Sequence, residues 1–188
     1  MCGRYNFTAE QSEEVMEILN KLNAKFQGKE ARTGEVFPTN LAPILIDENK
    51  EISPTLSRWG FPKFDGKGVI INARSETAFE KKTFRNSLLN QRCIIPSTGF
   101  YEWDSSKRKF LFRLEGTNVL YMAGLYSYYQ DEMRYVILTT QANDSMKEVH
   151  HRMPLVIEKG DIEAWIMDNQ ATNDLLHRVP PQLVKEAV

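Results

Sequence analysis

The sequence predicts an α+β protein: a single domain with a curled, largely antiparallel β core, or distorted barrel, flanked by helices. Three observations lead to this prediction. A helical apolar repeat lies near the start of the chain, short β-type runs follow from about residue 37, and helical patterns return near the end. The 188 residues suit one domain with a sizeable core. Since no internal repeat, linker or low-complexity segment is visible, residues 1–188 are interpreted as one domain.

The first predicted element is a helix over residues 8–28. Thr8 can cap its start, with Gln11 three residues later in capping-box position, and Gly28 can end it. Apolar residues recur between them at helical spacing, and they are Val15, Ile18, Leu19, Leu22 and Phe26. We expect this stripe to face the core.

The middle of the chain contains eight short runs broken by Gly, Pro, Asn and Asp, and each is a predicted strand. The runs are APILID, TLSRWGF, GVIINA, RCIIPS, FYEW, KFLFRL, NVLYMAGLY and RYVILTT. A short helix is predicted in KKTFRNSLLN. Two more are predicted in KGDIEAWIMD and ATNDLLHRV, and the following Pro180 and Pro181 stop the last one.

The composition is that of an ordinary globular protein, with 41% hydrophobic and 26% charged residues. Lys and Arg number 24 against 25 Asp and Glu, so the net charge gives no sign of nucleic-acid binding; a basic groove can still be offset by acidic surface elsewhere. Cys2 and Cys93 are too few for a disulfide framework or a structural zinc site, which favours a reducing, cytoplasmic setting. Without a signal pattern or an apolar run of ~20 residues, we expect a soluble protein that does not associate with membranes.

Cys2 carries the first candidate chemistry. If Met1 is removed, Cys2 presents an α-amine with a pKa of roughly 7.7–8.0 beside a thiol with a pKa of about 8.5. The amine can attack an aldehyde to form an imine, and the neighbouring thiol can then close a five-membered thiazolidine in a fast intramolecular step. Gly3 removes bulk beside the terminus, and Arg4 adds a permanent cation. The alternative is a cysteine that merely lies second in the chain.

Glu102 interrupts an aromatic run in GFYEWD. On a strand it shares a face with Phe100 and Asp104, while Tyr101 and Trp103 point the other way. Such a carboxylate is either solvated at an edge or buried with a raised pKa. The second environment suits proton transfer at neutral pH, and both remain open at this point.

The segment EVHHRMP supplies two histidines. On an extended segment His150 and His151 face opposite ways, and no HExxH or Cys/His ligand spacing is present, so no metal site is expected. One histidine can serve as a general acid or base; the alternative is a surface loop histidine. Arg152 beside them can hold a phosphate or a carboxylate.

In INARSET, Asn72 and Arg74 share one face of a strand and together suit a sugar-phosphate. The alternative is a strand end with a salt bridge from Arg74 to Glu76 or Glu80. Elsewhere, Cys93 is expected to be buried and inert. Three aromatic residues, Trp59, Phe61 and Phe64, can stack on bases, although core and rim packing is favoured.

Taken in order, MCGRY, PTNLAP, WGF, INARSET, GFYEW and HHRMP resemble the successive signatures of the SRAP family. Its members are the SOS response-associated peptidases, also described as abasic-site processing proteins. The resemblance runs from residue 2 to about residue 157. It implies a single mixed domain on a curled β core and a role in DNA repair: covalent capture of abasic sites in single-stranded DNA, without a cofactor.

The resemblance also implies the site. Cys2 is the nucleophile, accompanied by Asn72, Glu102 and His150. The positions assigned to DNA contact are Arg4, Arg74, Arg152, Asn40, Pro43 and Trp103. WGFPKFDGKG lacks the tryptophan-rich continuation of some members, so Phe64 is the candidate substitute for a wedge between strands, and the usual C-terminal strand is not matched. We expect a monomer that becomes nucleoid-associated when it binds damaged DNA.

The expected product is a thiazolidine crosslink between Cys2 and the opened sugar. The imine can also promote strand cleavage by β-elimination, which ring closure suppresses. Because one residue precedes Cys2, a host aminopeptidase suffices to expose it, and no protease activity is required. Two alternatives stand: a cysteine hydrolase or autopeptidase with Glu102 or His150 as base, and a non-covalent single-stranded DNA-binding module in which Cys2 is incidental.

Overall fold

The computed structural model describes residues 2–8, 10, 12–26 and 31–188. Four helices lie in this part of the chain: α1 (Glu13–Lys25), α2 (Lys82–Asn90), α3 (Ile162–Met167) and α4 (Ala171–His177). The strands are β1 (Tyr5–Phe7), β2 (Gly34–Val36), β3 (Leu41–Glu48), β4 (Glu51–Trp59), β5 (Phe61–Pro62), β6 (Val69–Ile70), β7 (Asn72–Arg74), β8 (Arg92–Ser97), β9 (Gly99–Trp103), β10 (Lys109–Leu114), β11 (Leu120–Tyr129), β12 (Glu132–Gln141), β13 (Arg152–Pro154), β14 (Val156–Ile157) and β15 (Leu183–Ala187). No helix among these residues is long and apolar enough to cross a membrane.

Five of the strands close into a barrel. Their order around the ring is β12, β4, β3, β8 and β11, and β11 pairs with β12 to complete it. The closure is uneven: β3 and β4 pair along their whole length, whereas the parallel contact of β4 with β12 joins Arg58 to Arg134 and Trp59 to Tyr135. The predicted α+β class with a distorted, largely antiparallel barrel is therefore confirmed.

A second, fully antiparallel sheet in the order β15-β10-β9-β1-β2 packs beside the barrel. Three fully buried aromatic residues join the two sheets. Tyr5 of β1 hydrogen-bonds Tyr135 of β12 through their hydroxyls at 2.7 Å, and Trp59 packs 5.3 Å from the Tyr5 ring and 6.2 Å from the Tyr135 ring. Because buried tyrosine hydroxyls need a partner, this pair fixes β1 against the barrel.

The first helix starts later than the sequence predicts. Its N-cap is Ser12, whose Oγ accepts a hydrogen bond from the Val15 N–H at 3.4 Å, so the assignment of this role to Thr8 was wrong. Thr8 instead donates from its hydroxyl to Asn6 Oδ1 at 3.0 Å. Gln11 and Gly28, assigned to the helix ends, lie outside the described residues. The predicted core stripe is confirmed by the burial of Val15, Ile18 and Leu22, with Leu19 and Phe26 packed against the core.

The remaining predicted elements match well. The three later helices are present, and α4 ends before the two prolines. The run GVIINA is divided at Ile71 into β6 and β7, because these strands pair with different partners. The C-terminal strand that the sequence left unmatched is β15, which pairs along the edge of β10.

Candidate functional site

Cys2 lies at the entrance to β1 and is buried, with 1% of its surface exposed. The Tyr101 N–H donates to Arg4 O at 2.9 Å, which continues the β1–β9 pairing beyond Tyr5 and Phe100. This register places Gly3 opposite Glu102. The Cys2 thiol donates a long hydrogen bond to Arg4 O, with sulfur and oxygen 3.8 Å apart. The strand pairing thus fixes the chain as far as Arg4, and Cys2 lies two residues beyond it.

Asn72 connects the barrel to this terminus. Its Nδ2 donates to Cys2 O at 2.9 Å, across 70 positions of sequence. The Asn72 backbone is fixed by the parallel pairing of β7 with β12, and the preceding Ile71 O accepts from Trp59 Nε1 at 3.0 Å. Asn72 Oδ1 is buried and makes no hydrogen bond within the described residues. The Asn72 side chain therefore has one hydrogen-bond acceptor, Oδ1, available beside Cys2.

Glu102 occupies the buried one of its two predicted environments. It is 4% exposed on β9, and Phe100 on the same strand is fully buried. The pKa of the Cys2 thiol is raised well above its usual value, first by burial and then by the negative charge of Glu102, against a smaller lowering by the hydrogen bond to Arg4. The thiol is therefore protonated at neutral pH in this environment, beside a potential proton acceptor.

His150 and His151 do not face opposite ways as predicted, because they form a bend before β13 rather than an extended segment. Their rings stack with centroids 4.4 Å apart. The Arg152 N–H donates to His150 Nδ1 at 2.9 Å, and the same Nδ1 lies 3.0 Å from Arg152 O, so the Arg152 backbone holds the ring in place. His150 is half-buried and His151 is exposed. The pKa of His151 is lowered, chiefly by the neighbouring charge of His150.

Arg152 is bound to a carboxylate rather than open to a phosphate. Its Nη1 lies 2.6 Å from Glu76 Oε1 and its Nη2 lies 2.9 Å from Glu76 Oε2. Nη2 also donates to Thr139 O at 2.6 Å, and the Arg152 side chain is 8% exposed. In this arrangement its predicted phosphate contact would require Glu76 to be displaced. The salt bridge considered between Arg74 and Glu76 is replaced by this one.

The two other predicted cations are accessible. Arg74 ends β7 with an exposed side chain that makes no ion pair within the described ranges. Arg4 is 29% exposed, and its Nη1 lies 3.1 Å from Glu35 Oε2. The Arg4 guanidinium carbon lies 4.4 Å from the Phe37 ring centroid and 5.1 Å from that of Trp103. Trp103 is thus placed beside Arg4, on the face of β9 opposite the barrel.

Asn40 and Pro43 have structural positions near the start of the barrel. Asn40 Oδ1 accepts from the Phe37 N–H at 3.0 Å and Asn40 O accepts from the Trp59 N–H at 3.0 Å, so this side chain shapes the turn before β3. Pro43 is buried in β3, paired with Leu56. Its side chain forms part of the barrel wall, which differs from the expected lining of an open cleft.

The aromatic candidates separate by exposure. Trp59 and Phe61 are fully buried, as core packing predicts. Phe64 is fully exposed on the connection between β5 and β6. Cys93 is fully buried, and burial raises the pKa of its thiol well above the usual value, in agreement with the expected inert cysteine.

Glu76 and Thr139 are site residues that the sequence did not reveal as partners of Arg152. Thr139 is fully buried on β12, next to Pro154 of β13 on one side and Arg74 of β7 on the other. The sequence signal that could have identified Glu76 as a site residue was its position within the INARSET motif. Across the described chain, no group of three or more His, Cys, Asp or Glu side chains is arranged to hold a metal ion.

Comparison with known proteins shows which family the chain belongs to. Residues 1–187 match the sequence profile of the family described as SOS response associated peptidase (SRAP). The chain belongs to this family. It is 29% identical over 190 residues to the abasic site processing protein YoqW of Bacillus subtilis, covering 94% of this chain and 84% of that protein. It is 30% identical over 190 residues to the abasic site processing protein YoaM of the same organism, covering 94% and 83%.

Two solved structures share the SRAP fold seen here. A protein from Bacteroides thetaiotaomicron superposes with a TM-score of 0.82 at 23% identity, covering 100% of this chain and 92% of the other. A protein from Bordetella bronchiseptica superposes with a TM-score of 0.79 at 26% identity, covering 100% and 99%. The family resemblance inferred from the motifs is confirmed.

Proposed function

We propose that this chain processes abasic sites in single-stranded DNA by capturing the lesion covalently at Cys2. The observation that carries the proposal is the proximity of Cys2 to Asn72 and Glu102, which come from distant parts of the sequence. The SRAP relatives bear the name of abasic site processing proteins, which supports the substrate class.

The proposed chemistry needs no redox partner. An abasic sugar in its open form carries an aldehyde at C1′. After removal of Met1, the Cys2 amine condenses with this aldehyde, forming a carbon–nitrogen double bond and releasing one water. The thiol then adds to the imine carbon: a carbon–sulfur bond forms and the nitrogen gains a proton. The five-membered thiazolidine closes intramolecularly, which favours it over attack by an external nucleophile.

The site residues have distinct proposed roles. Asn72 holds Cys2 O through Nδ2, and its buried Oδ1 is available to accept from the Cys2 amine or a sugar hydroxyl. Glu102 accepts the thiol proton as the ring closes and returns protons to the nitrogen. Burial and, second, the charge of Glu102 keep the thiol protonated. In the proposed order the amine reacts first and the thiol closes the ring.

His150 assists proton transfer at the sugar, with its ring held by the Arg152 backbone at Nδ1. Arg4 and Arg74 neutralise phosphates beside the lesion, and the exposed Phe64 contacts a neighbouring base. Arg152 contributes to the site through its pairing with Glu76. The imine can promote β-elimination until ring closure removes it. We further propose a cytoplasmic monomer that acts on DNA.

The test is incubation with a single-stranded oligonucleotide bearing one abasic site, followed by denaturing electrophoresis and intact mass measurement. Capture predicts an adduct without added reductant, whose mass is that of the Met1-free protein plus the oligonucleotide less one water. Cys2→Ala must not form it, and acetylation of the terminus must abolish it while leaving thiol alkylation intact.

Two outcomes would support other functions instead. Turnover of a peptide or ester without a DNA adduct would indicate a cysteine hydrolase. A complex that dissociates in denaturant would indicate a non-covalent DNA-binding module. An unchanged adduct with Cys2→Ala would refute the role of Cys2.

A further inference from the structure

Two cations share one carboxylate on the outer face of the second sheet. Glu35 Oε2 lies 3.1 Å from Arg4 Nη1, and Glu35 Oε1 lies 2.8 Å from Lys109 Nζ. The three side chains come from different parts of the sheet: Arg4 precedes β1, Glu35 lies in β2 and Lys109 begins β10. Their exposed fractions are 29%, 32% and 24%, so all three reach solvent.

Aromatic rings support both cations. Lys109 Nζ lies 4.0 Å from the Tyr101 ring centroid, and Arg4 lies over Phe37 and Trp103. Lys109 and Trp103 are direct partners in the β9–β10 pairing. Phe37 and Trp103 are half-buried and Tyr101 is buried. Positive charge combined with aromatic rings is a feature of surfaces that bind single-stranded nucleic acid.

The geometry of Glu35 resembles that of a bound phosphate. Each carboxylate oxygen contacts one cation, and the two non-bridging oxygens of a phosphodiester carry one shared negative charge in a similar way. Ion pairs at this exposure are weak in water, so an incoming phosphate can replace the carboxylate at little cost. Lys109 is the main cause of a lowered pKa of Glu35, which keeps the carboxylate ionised at neutral pH.

We propose that Arg4 and Lys109 form a phosphate subsite for the DNA strand, and that Glu35 occupies this subsite in the free protein as an internal competitor. The inference rests on the proposed function, because Arg4 lies two residues from Cys2 and the subsite would hold a phosphate beside the lesion. With Glu35 ionised, the three groups carry one net positive charge. When DNA binds, the Glu35 carboxylate moves aside, and the two positive charges of Arg4 and Lys109 become accessible to a phosphate.

The test uses an undamaged single-stranded oligonucleotide, whose sugars offer no aldehyde, with affinity measured by fluorescence anisotropy at several salt concentrations. We expect Glu35→Gln to bind about three- to tenfold more tightly at low salt, because the competing charge is gone. We expect Lys109→Gln to bind more weakly, with a salt slope reduced by about 0.7 for the phosphate lost. Lys109→Arg should retain binding.

The matched control is Glu48→Gln. Glu48 is 40% exposed and pairs with Lys25 at the β3–β4 hairpin, so this variant removes the same charge from another surface ion pair. Equal affinity gains for Glu35→Gln and Glu48→Gln would overturn the proposal, as would an unchanged salt slope for Lys109→Gln. Thermal unfolding of each variant verifies that it is folded.

Failure of this inference and failure of covalent capture give different results. The undamaged oligonucleotide reports on the subsite alone, whereas the abasic oligonucleotide reports on Cys2. If Glu35→Gln and Lys109→Gln have the expected effects but no adduct forms, the phosphate subsite is supported and covalent capture is refuted. An adduct without those effects would support covalent capture and refute the phosphate subsite.

Discussion

Arg152 and Glu76 form a two-pronged ion pair across the end of β12, with nitrogen–oxygen distances of 2.6 and 2.9 Å. Arg152 also donates to Thr139 O, and Thr139 Oγ1 donates to Ala73 O at 3.4 Å. The network therefore joins β13, β12 and the segment that follows β7. Since His150 lies two residues before Arg152 and Asn72 lies in β7, one buried cation joins two of the four segments that carry candidate catalytic side chains.

Replacement of Glu76 by Gln should destabilise the fold by about 1–3 kcal/mol. It leaves the buried Arg152 charge without its counter-ion, and we expect less than a fully buried pair would lose because the Glu76 side chain is 36% exposed. Urea unfolding at neutral pH measures the change. The exposed Glu80 provides the control, and Glu80→Gln should shift stability by no more than about 0.5 kcal/mol. Equal losses for the two variants would refute the importance of the pair.

The stabilisation by Glu76 should depend on pH in one direction. The hydrogen bonds from Arg152 lower the pKa of Glu76 in the folded protein below its usual range. A carboxyl group with a lowered folded pKa contributes fully above its unfolded pKa and loses that contribution as the pH falls through the folded value. The difference in unfolding free energy between wild type and Glu76→Gln should thus be constant from neutral pH to about pH 5, then shrink in more acidic buffer. A difference that grows on acidification would contradict this.

Replacement of Cys2 by Ser should separate the two steps of capture. The amine remains, so an imine forms with the abasic aldehyde, but the thiol that closes the ring is gone. We expect an adduct only after borohydride reduction, together with more strand cleavage by β-elimination than wild type gives. Denaturing electrophoresis of the oligonucleotide measures both the adduct and the cleaved strand. Cys93→Ala is the control and should capture as wild type does, because Cys93 is buried elsewhere in the barrel.

Replacement of Asn72 by Ala should slow capture by about 10- to 100-fold, since it removes the donor to Cys2 O and the acceptor beside it. Asn72→Asp should be at least as slow, because it places an oxygen against the Cys2 carbonyl oxygen. Single-turnover rates with excess protein give the comparison. Rates equal to wild type in both variants would remove Asn72 from the proposed mechanism.

Replacement of Glu102 by Gln should move two properties in opposite directions. The pKa of the Cys2 thiol should fall, because the negative charge that helps to raise it is removed. Capture should nevertheless slow, because the proton acceptor is lost. Thiolate absorbance against pH measures the first effect and single-turnover kinetics the second. Faster capture would show that thiolate formation, rather than proton transfer by Glu102, limits the reaction.

Local patterns predicted the strands that carry the site. The alternation in GFYEW places Glu102 and Trp103 on opposite faces of β9, and INARSET contains both Asn72 and Arg74 of β7. These predictions succeed because a strand repeats every two residues whatever its neighbours are. Family resemblance then supplied a chemical role for each position.

The sequence could not predict the contacts that depend on pairing between distant strands. Arg152 and Glu76 are 76 positions apart, and their contact follows from the attachment of β7 and β13 to the same stretch of β12. The strand β1 has three residues, too few for a visible alternation. The stacking of His150 on His151 depends on a bend that hydrogen bonds to Met146 O and within the turn create.

The position of β1 between β2 and β9 has a practical consequence for handling the protein. An affinity tag fused ahead of Cys2 would have to emerge from the middle of a sheet, and it would block the amine that the proposed capture requires. The opposite end suits purification handles far better, because β15 lies at a sheet edge and the last four of its five residues are exposed.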